Sequence, residues 1–309
     1  MRDLDLFKLI LEPKVEDNAN PASRWFIPFP QNFISALLSE AYVREVRSRG
    51  YELQDSESIM KKIHAVSRWL TDASRKPFLL LYGENPGTGK TTLAKAIYRV
   101  VKEEIPDIKK RLQHAVYVEG GLRYSVRKRA DERIKEILPA EFVELFPDVQ
   151  SSQELYFSRE MWLKLRDYPE IYNQVAIIVR KRENAVNAIH RKLDSIQIER
   201  FEKNPIHFTS SQKIVESAEK GGRDSLRWYE GSFLFMDDVG AEAKEAFYMG
   251  NRILPVVEIL LERYDHRNIT VITSNLSDSG IADMYGARVA DRLNEVADKI
   301  AFMGESYRK

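Results

Sequence analysis

Apolar residues fall into two kinds of pattern along this chain. Asn32 to Arg49 places Phe33, Leu37, Leu38, Tyr42 and Val46 on one helical stripe and stops at Gly50; Ser58 to Leu70 repeats the stripe with Ile59, Ile63, Val66 and Leu70. Phe78-Leu79-Leu80-Leu81-Tyr82, after Pro77, is instead a short unbroken apolar run, the pattern of a strand buried on both faces of a parallel sheet. Gly83 closes it, and Thr91 to Lys102 resumes with helical spacing. A second run, Ser232-Phe233-Leu234-Phe235-Met236, ends in Asp237-Asp238. Ile253 to Tyr264 reads as a helix, and Asn268-Ile269-Thr270-Val271-Ile272-Thr273 as a β-branched strand. Strands alternating with helices predict a doubly wound α/β sheet.

Two regions depart from this alternation. Residues 1–75 read as helices around a proline-rich turn, where Pro21, Pro28 and Pro30 bracket Trp25, Phe26, Ile27 and Phe29. Residues from about 105 to 204 are highly charged and mostly helical in pattern, with basic clusters at Arg127-Lys128-Arg129 and Arg180-Lys181-Arg182. Pro205-Ile206-His207-Phe208-Thr209 then resembles a core strand again, so the middle reads as a helical insertion within a domain spanning 76–309.

Composition narrows the classes. Of 309 residues, 43% are hydrophobic and 31% charged, a soluble mix whose extra charge suits wide helical faces. The net charge of +1 means that any nucleic-acid contact must come from local patches. With no cysteine, disulfides, thiolate metal sites and cysteine nucleophiles are excluded. The acidic start Met1-Arg2-Asp3-Leu4-Asp5 does not read as a signal peptide, so none is expected, and no stretch reaches the roughly 20 apolar residues of a spanning helix. A cytoplasmic protein with no membrane partner is expected.

Candidate chemistry centres on Asn85-Pro86-Gly87-Thr88-Gly89-Lys90-Thr91-Thr92, between the first apolar run and its helix. A glycine-rich loop opening a helix offers backbone N–H groups to a polyphosphate, a lysine supplies a mobile charge, and the next hydroxyl ligates Mg²⁺. Gly87, Gly89, Lys90 and Thr91 fill these places, which predicts ATP and Mg²⁺ as ligands. The spacing departs at one point: Glu84 stands where a glycine is usual, and Gly83 is one residue early. Glu84 either lies outside the cradle in solvent or points inward against the nucleotide.

Mg²⁺ takes few protein ligands and needs a carboxylate beside the phosphates. Asp237, at the tip of a strand, is the candidate, with Asp238 orienting the attacking water. Asn275, after the next strand, could read the γ-phosphate or the lytic water, or be an ordinary turn residue. Arg288, Arg292 and Arg308 could serve a neighbouring subunit's phosphates, or be solvated helix residues.

The ordered set resembles a known family. Tyr82-Gly83 with Asn85 to Thr92, Met236 to Glu242, Thr273-Ser274-Asn275-Leu276, Tyr285 to Leu293 and Ser306-Tyr307-Arg308 look like the DnaC/DnaI-type bacterial helicase loaders, with IstB-type transposition ATPases close by; both are AAA+ proteins. The resemblance covers about 77–104 and 205–309. It implies Asp237 and Asp238 as Walker B, Asn275 as sensor 1, Arg292 as an arginine finger acting in trans and Arg308 as sensor 2. Asp238 stands where relatives often carry glutamate, which bears on hydrolysis rate. The insertion is longer than loaders usually carry, and neither a cysteine zinc cluster nor a separate helical lid is expected.

The implied function is ATP-controlled assembly on single-stranded DNA, delivering a replicative helicase and oligomerising with ATP. The alternatives are a mobile-element ATPase partnered with a transposase, and a nucleotide-gated binding module with weak hydrolysis. Trp25 and Phe26 would either dock a partner or, more simply, pack on the ATPase core. The basic clusters would either grip phosphates or, given Asp131, Glu132 and Glu183 among them, form a solvated face.

Overall fold

The computed structural model describes residues 25–52, 56–118, 121–152, 154–195, 205–231 and 233–303. Pro21, Ser232 and Ser306-Tyr307-Arg308 lie outside them. The described residues form two compact units, one of 107–195 and one of 25–106 with 205–303.

The second unit begins with the aromatic turn. Trp25, Ile27 and Phe29 are buried, and Trp25 meets Phe233 edge-on at 5.5 Å, so the turn is core of this unit and Trp25 is not a surface anchor. Helices α1 (Gln31–Ser48) and α2 (Ser56–Thr71) follow, with Ile34, Leu38, Ile59, Ile63, Val66 and Leu70 fully buried along their stripes. Strand β1 (Phe78–Tyr82) buries Phe78 to Leu81, as an unbroken apolar run requires. Helix α3 (Lys90–Arg99) leaves the loop after β1 and packs on α1. A π-helical turn, Val100–Glu104, joins it directly to α4 (Ile105–Tyr117), so helix continues past Lys102, where the sequence pattern ends it.

Residues 107–195 have a core of their own. Helix α4 leads to α5 (Leu122–Ile137), three short helices α6 (Ala140–Leu145), α7 (Asp148–Ser151) and α8 (Arg159–Leu165), and the long α9 (Pro169–Ser195). Ile134, Phe142, Leu165 and Val175 are fully buried at its centre. Beside them Arg182 Nη1 meets Asp131 Oδ1 at 2.5 Å, and the Leu155 amide donates to Asp131 Oδ2 at 2.9 Å. Arg127 pairs with Glu154 at 3.0 Å. One arginine of each basic cluster is therefore turned into the unit rather than out to solvent: Arg127 and Arg182 side chains are only 15% and 10% exposed.

The sheet unit resumes at β2 (Ile206–Ser210), α10 (Ser211–Gly221), a 3₁₀ segment Gly222–Tyr229, and β3 (Phe233–Val239). A small antiparallel hairpin, β4 (Ala246–Tyr248) and β5 (Asn251–Ile253), precedes α11 (Pro255–Asp265). Then come β6 (Thr270–Ser274), α12 (Asp278–Tyr285), α13 (Ala287–Val296) and β7 (Ala297–Ala301). The five main strands form one parallel sheet in the order β2-β3-β6-β1-β7. The fold is α/β, with β6 buried along its whole length between β1 and β3. No described helix is long and apolar enough to cross a membrane.

Candidate functional site

The loop after β1 turns on two glycines. Gly87 (φ 79°) and Gly89 (φ 96°) take left-handed conformations that a side chain would strain. Gly89 is the N-cap of α3, whose first turn carries no acidic residue, so the positive end of the helix faces the loop uncompensated. Thr88, Lys90 and Thr92 are nearly buried. Lys90 Nζ donates to the carbonyls of Gly83 at 2.7 Å and Asn85 at 2.8 Å, and to Thr88 Oγ1 at 3.3 Å. Burial holds the Lys90 ammonium below the usual lysine range, with the Asp238 carboxylate nearby acting against it. A cation among oxygens in a low-dielectric pocket is a strong attractor for phosphate.

Strand order brings the acidic pair to this loop. Thr91 Oγ1 donates to Asp237 Oδ1 at 2.9 Å, and Thr273 Oγ1 donates to the same oxygen at 2.6 Å. The Thr273 hydroxyl also accepts the Asp238 amide at 2.9 Å. Asp238 has φ 55°, and the β3–β6 register shifts between Met236 and Val239. The bulge places Asp238, an exposed residue, on the wall of the cavity.

That cavity, of about 190 Å³, is lined by Pro86 to Thr92, Asp238, Ala241 and Asn275. Tyr42, Val46, Arg49, Tyr51 and Glu52, from α1 and the residues after it, complete the lining. The loop residues bring amides and the Lys90 cation to the cavity, while Tyr42, Val46 and Tyr51 add ring and aliphatic surface beside the charged Arg49 and Glu52. Thr91 and Asp237 present two hard oxygens side by side, a donor pair suited to Mg²⁺.

The predicted residues divide as follows. Pro86 to Thr92, Asp238 and Asn275 line the cavity, and Asp237 reaches it through Thr91. Asn85 supplies the carbonyl that holds Lys90. Glu84 is exposed and not part of the lining, the first of the two placements open to it. Arg288 is exposed on α13. Arg292 bonds Asp265 at 3.4 Å and lies 4.6 Å from the centre of the Tyr264 ring, away from the cradle of its own chain. Arg308 lies outside the described residues.

Sequence reading missed three contributors. Thr273 was legible as a β-branched strand residue and as the start of the Thr273-Ser274-Asn275-Leu276 motif, but not as the hydroxyl that bonds the Asp237 carboxylate and the Asp238 amide. Ser211, whose Oγ donates to the Asp238 carbonyl at 2.8 Å, gave no signal. Tyr42 and Val46 read as helix stripe and Tyr51 gave no signal, because the lining they form depends on how α1 packs on α3. Comparison of the chain with known protein families and with curated proteins finds no match to either.

Proposed function

We propose that this chain is a Mg²⁺-dependent ATPase of the AAA+ class, an ATP-controlled assembly factor of the helicase-loader kind that works on single-stranded DNA in the cytoplasm. The observation that carries the reading is the 2.9 Å hydrogen bond from Thr91 to Asp237, across 146 positions of sequence. It joins a phosphate-binding loop to a strand-end carboxylate, the two halves of an ATP–Mg²⁺ site. The position of β6, with Thr273 and Asn275 at its end, between the two strands supports the same class.

In this reading the amides from Gly87 to Thr91 bind the triphosphate, and Lys90 exchanges its loop carbonyls for phosphate oxygens. Thr91 and Asp237 hold Mg²⁺, which when bound neutralises charge on the phosphates. Asp238 orients the attacking water, and Asn275 bonds the γ-phosphate or that water. The base lies toward Tyr42, Val46 and Tyr51, where ring and aliphatic surface can cover it. Arg292 serves the cradle of a neighbouring copy, Arg308 acts as sensor 2, and ATP binding promotes oligomerisation.

Phosphate release from MgATP tests the site. Lys90→Ala is expected to lower turnover about a hundredfold, and equal turnover in both proteins would remove the reading. Role is tested by pull-down against the host's replicative helicase and a neighbouring transposase. Helicase capture is expected; transposase capture alone moves the role to a mobile element, and capture of neither favours a nucleotide-gated binding module.

A further inference from the structure

Glu242 is a buried carboxylate that the hydrolysis reading does not use. It is 6% exposed, and a charge withheld from water is tolerated only when its oxygens are bonded. Both are. Oε2 accepts the Gly240 amide at 2.9 Å, and Oε1 accepts the hydroxyl of Tyr285, itself 6% exposed. Burial, and next the Glu242 carboxylate, push the Tyr285 hydroxyl above the usual phenol range, so the proton stays on the tyrosine.

The two ends of this bond are what give it meaning. Gly240 (φ 100°) lies two residues after Asp238, whose own φ of 55° is costly for a residue with a side chain. Such a conformation persists only where its surroundings enforce it, and here they do. The Asp238 amide is held by Thr273, its carbonyl by Ser211 and by the Ala241 amide at 3.0 Å, and the Val239 carbonyl by Ser274 Oγ at 2.6 Å. A methyl group on Gly240 would meet the Leu276 side chain at 2.4 Å, so the loop is seated against the chain that follows Asn275. At the other end, Tyr285 is the last residue of α12. Gly286 (φ 93°) follows it and caps α13, which carries Arg288 and Arg292.

We propose that Glu242 and Tyr285 are positioning residues: their buried hydrogen bond sets the loop from Asp238 to Glu242, so placing Asp238 for water activation, and ties that loop to the α12–α13 corner. The assignment rests on the ATPase reading above.

Its test is steady-state phosphate release and ATP-analogue binding by the full chain, with thermal melts alongside. Tyr285→Phe removes one hydroxyl and keeps the ring; kcat is expected to fall about tenfold, with KM and analogue affinity within about twofold. Glu242→Ala is expected to do the same. Glu242→Gln keeps an acceptor for Gly240, and its amide can donate to the tyrosine oxygen, so it is expected to restore kcat to within about threefold of wild type. Lys90-dependent turnover that is indifferent to Tyr285→Phe would overturn this assignment alone. So would losses that track the melting temperature across all three variants, because a purely structural bond would behave that way. Absence of Lys90-dependent turnover in the wild type would remove the ATPase reading and this assignment with it.

Discussion

A methyl group at Gly83 would lie 2.3 Å from the carbonyl oxygen of Phe302, whose amide donates to the Tyr82 carbonyl at 2.7 Å just beyond β7. The obstacle is backbone, so relief requires the chain after β7 to move. The glycine that stands one place early in the cradle motif therefore serves the sheet, while Gly87 and Gly89 shape the phosphate loop. Gly83→Ala is expected to cost about 1–3 kcal/mol of stability, as overpacking does. Urea unfolding reads this directly, and an unchanged midpoint would show that the chain after β7 yields without cost. The same scale explains Thr273: one hydroxyl donates to the Asp237 carboxylate and accepts the Asp238 amide, so a residue suited to a strand also fixes one carboxylate and the backbone that carries the other.

At the scale of elements, β2 is, among the described residues, an edge strand paired only with β3, and His207 on it is half-buried. Among the described residues its buried Nε2 has no hydrogen-bond partner. Burial, then the cations Lys102 and Arg263, hold its pKa below the ordinary 6.5. The folded state thus disfavours the proton, and the unfolded chain takes it up first as pH falls. Stability from this group is complete above the unfolded value and is lost as pH drops through it toward the folded one. Urea midpoints measured at about pH 7 and about pH 5.5 should fall less for His207→Gln than for wild type; an identical fall would place the proton elsewhere. The β4–β5 hairpin is an element that the hydrophobic pattern concealed. Its two-residue turn has positive φ at Met249 (50°) and Gly250 (80°). Such turns are signalled by Asn-Gly or Asp-Gly, and methionine at the first position hides it.

At the scale of the whole molecule, the described residues divide into two compact units, and 107–195 has a core of its own. Phe142 is fully buried within 107–195, among Ile134, Leu165 and Val175. Phe142→Ala is expected to cost that unit about 3–5 kcal/mol through lost burial and the cavity left behind. Because Phe142 belongs to neither the sheet core nor the cavity wall, ATP-analogue affinity should stay within about twofold of wild type. Unfolding followed by probes placed in each unit checks the first expectation, and equilibrium titration of the analogue the second. A loss of affinity that follows the loss of stability would show that the units unfold as one. The charged middle segment is thus a folded body with a buried ion pair, and its arginines Arg127 and Arg182 help build it.

Four of the five sheet strands, β1, β2, β3 and β6, and the helices α1, α2, α3 and α11 were legible because their period is local, whereas β7, mostly half-buried and carrying Asp298 and Lys299, shows no apolar run. Phe78 to Leu81 and Val271-Ile272 are apolar without break because both faces of a parallel strand are covered. The cradle was legible because loop, lysine and hydroxyl are consecutive, and covalent geometry alone brings them together. What required the tertiary structure was everything set by strand order and by helix packing. Sequence does not state that β6 lies between β1 and β3, so it cannot show Thr273 bridging Asp237 and Asp238. Nor can it show Tyr42 and Tyr51 lining one cavity with Gly87, or Tyr285 donating to Glu242 across 43 positions. Periodicity fixes which face of an element is buried; only the packed chain decides which polar atoms meet there, because those hydrogen bonds join residues that no local rule relates.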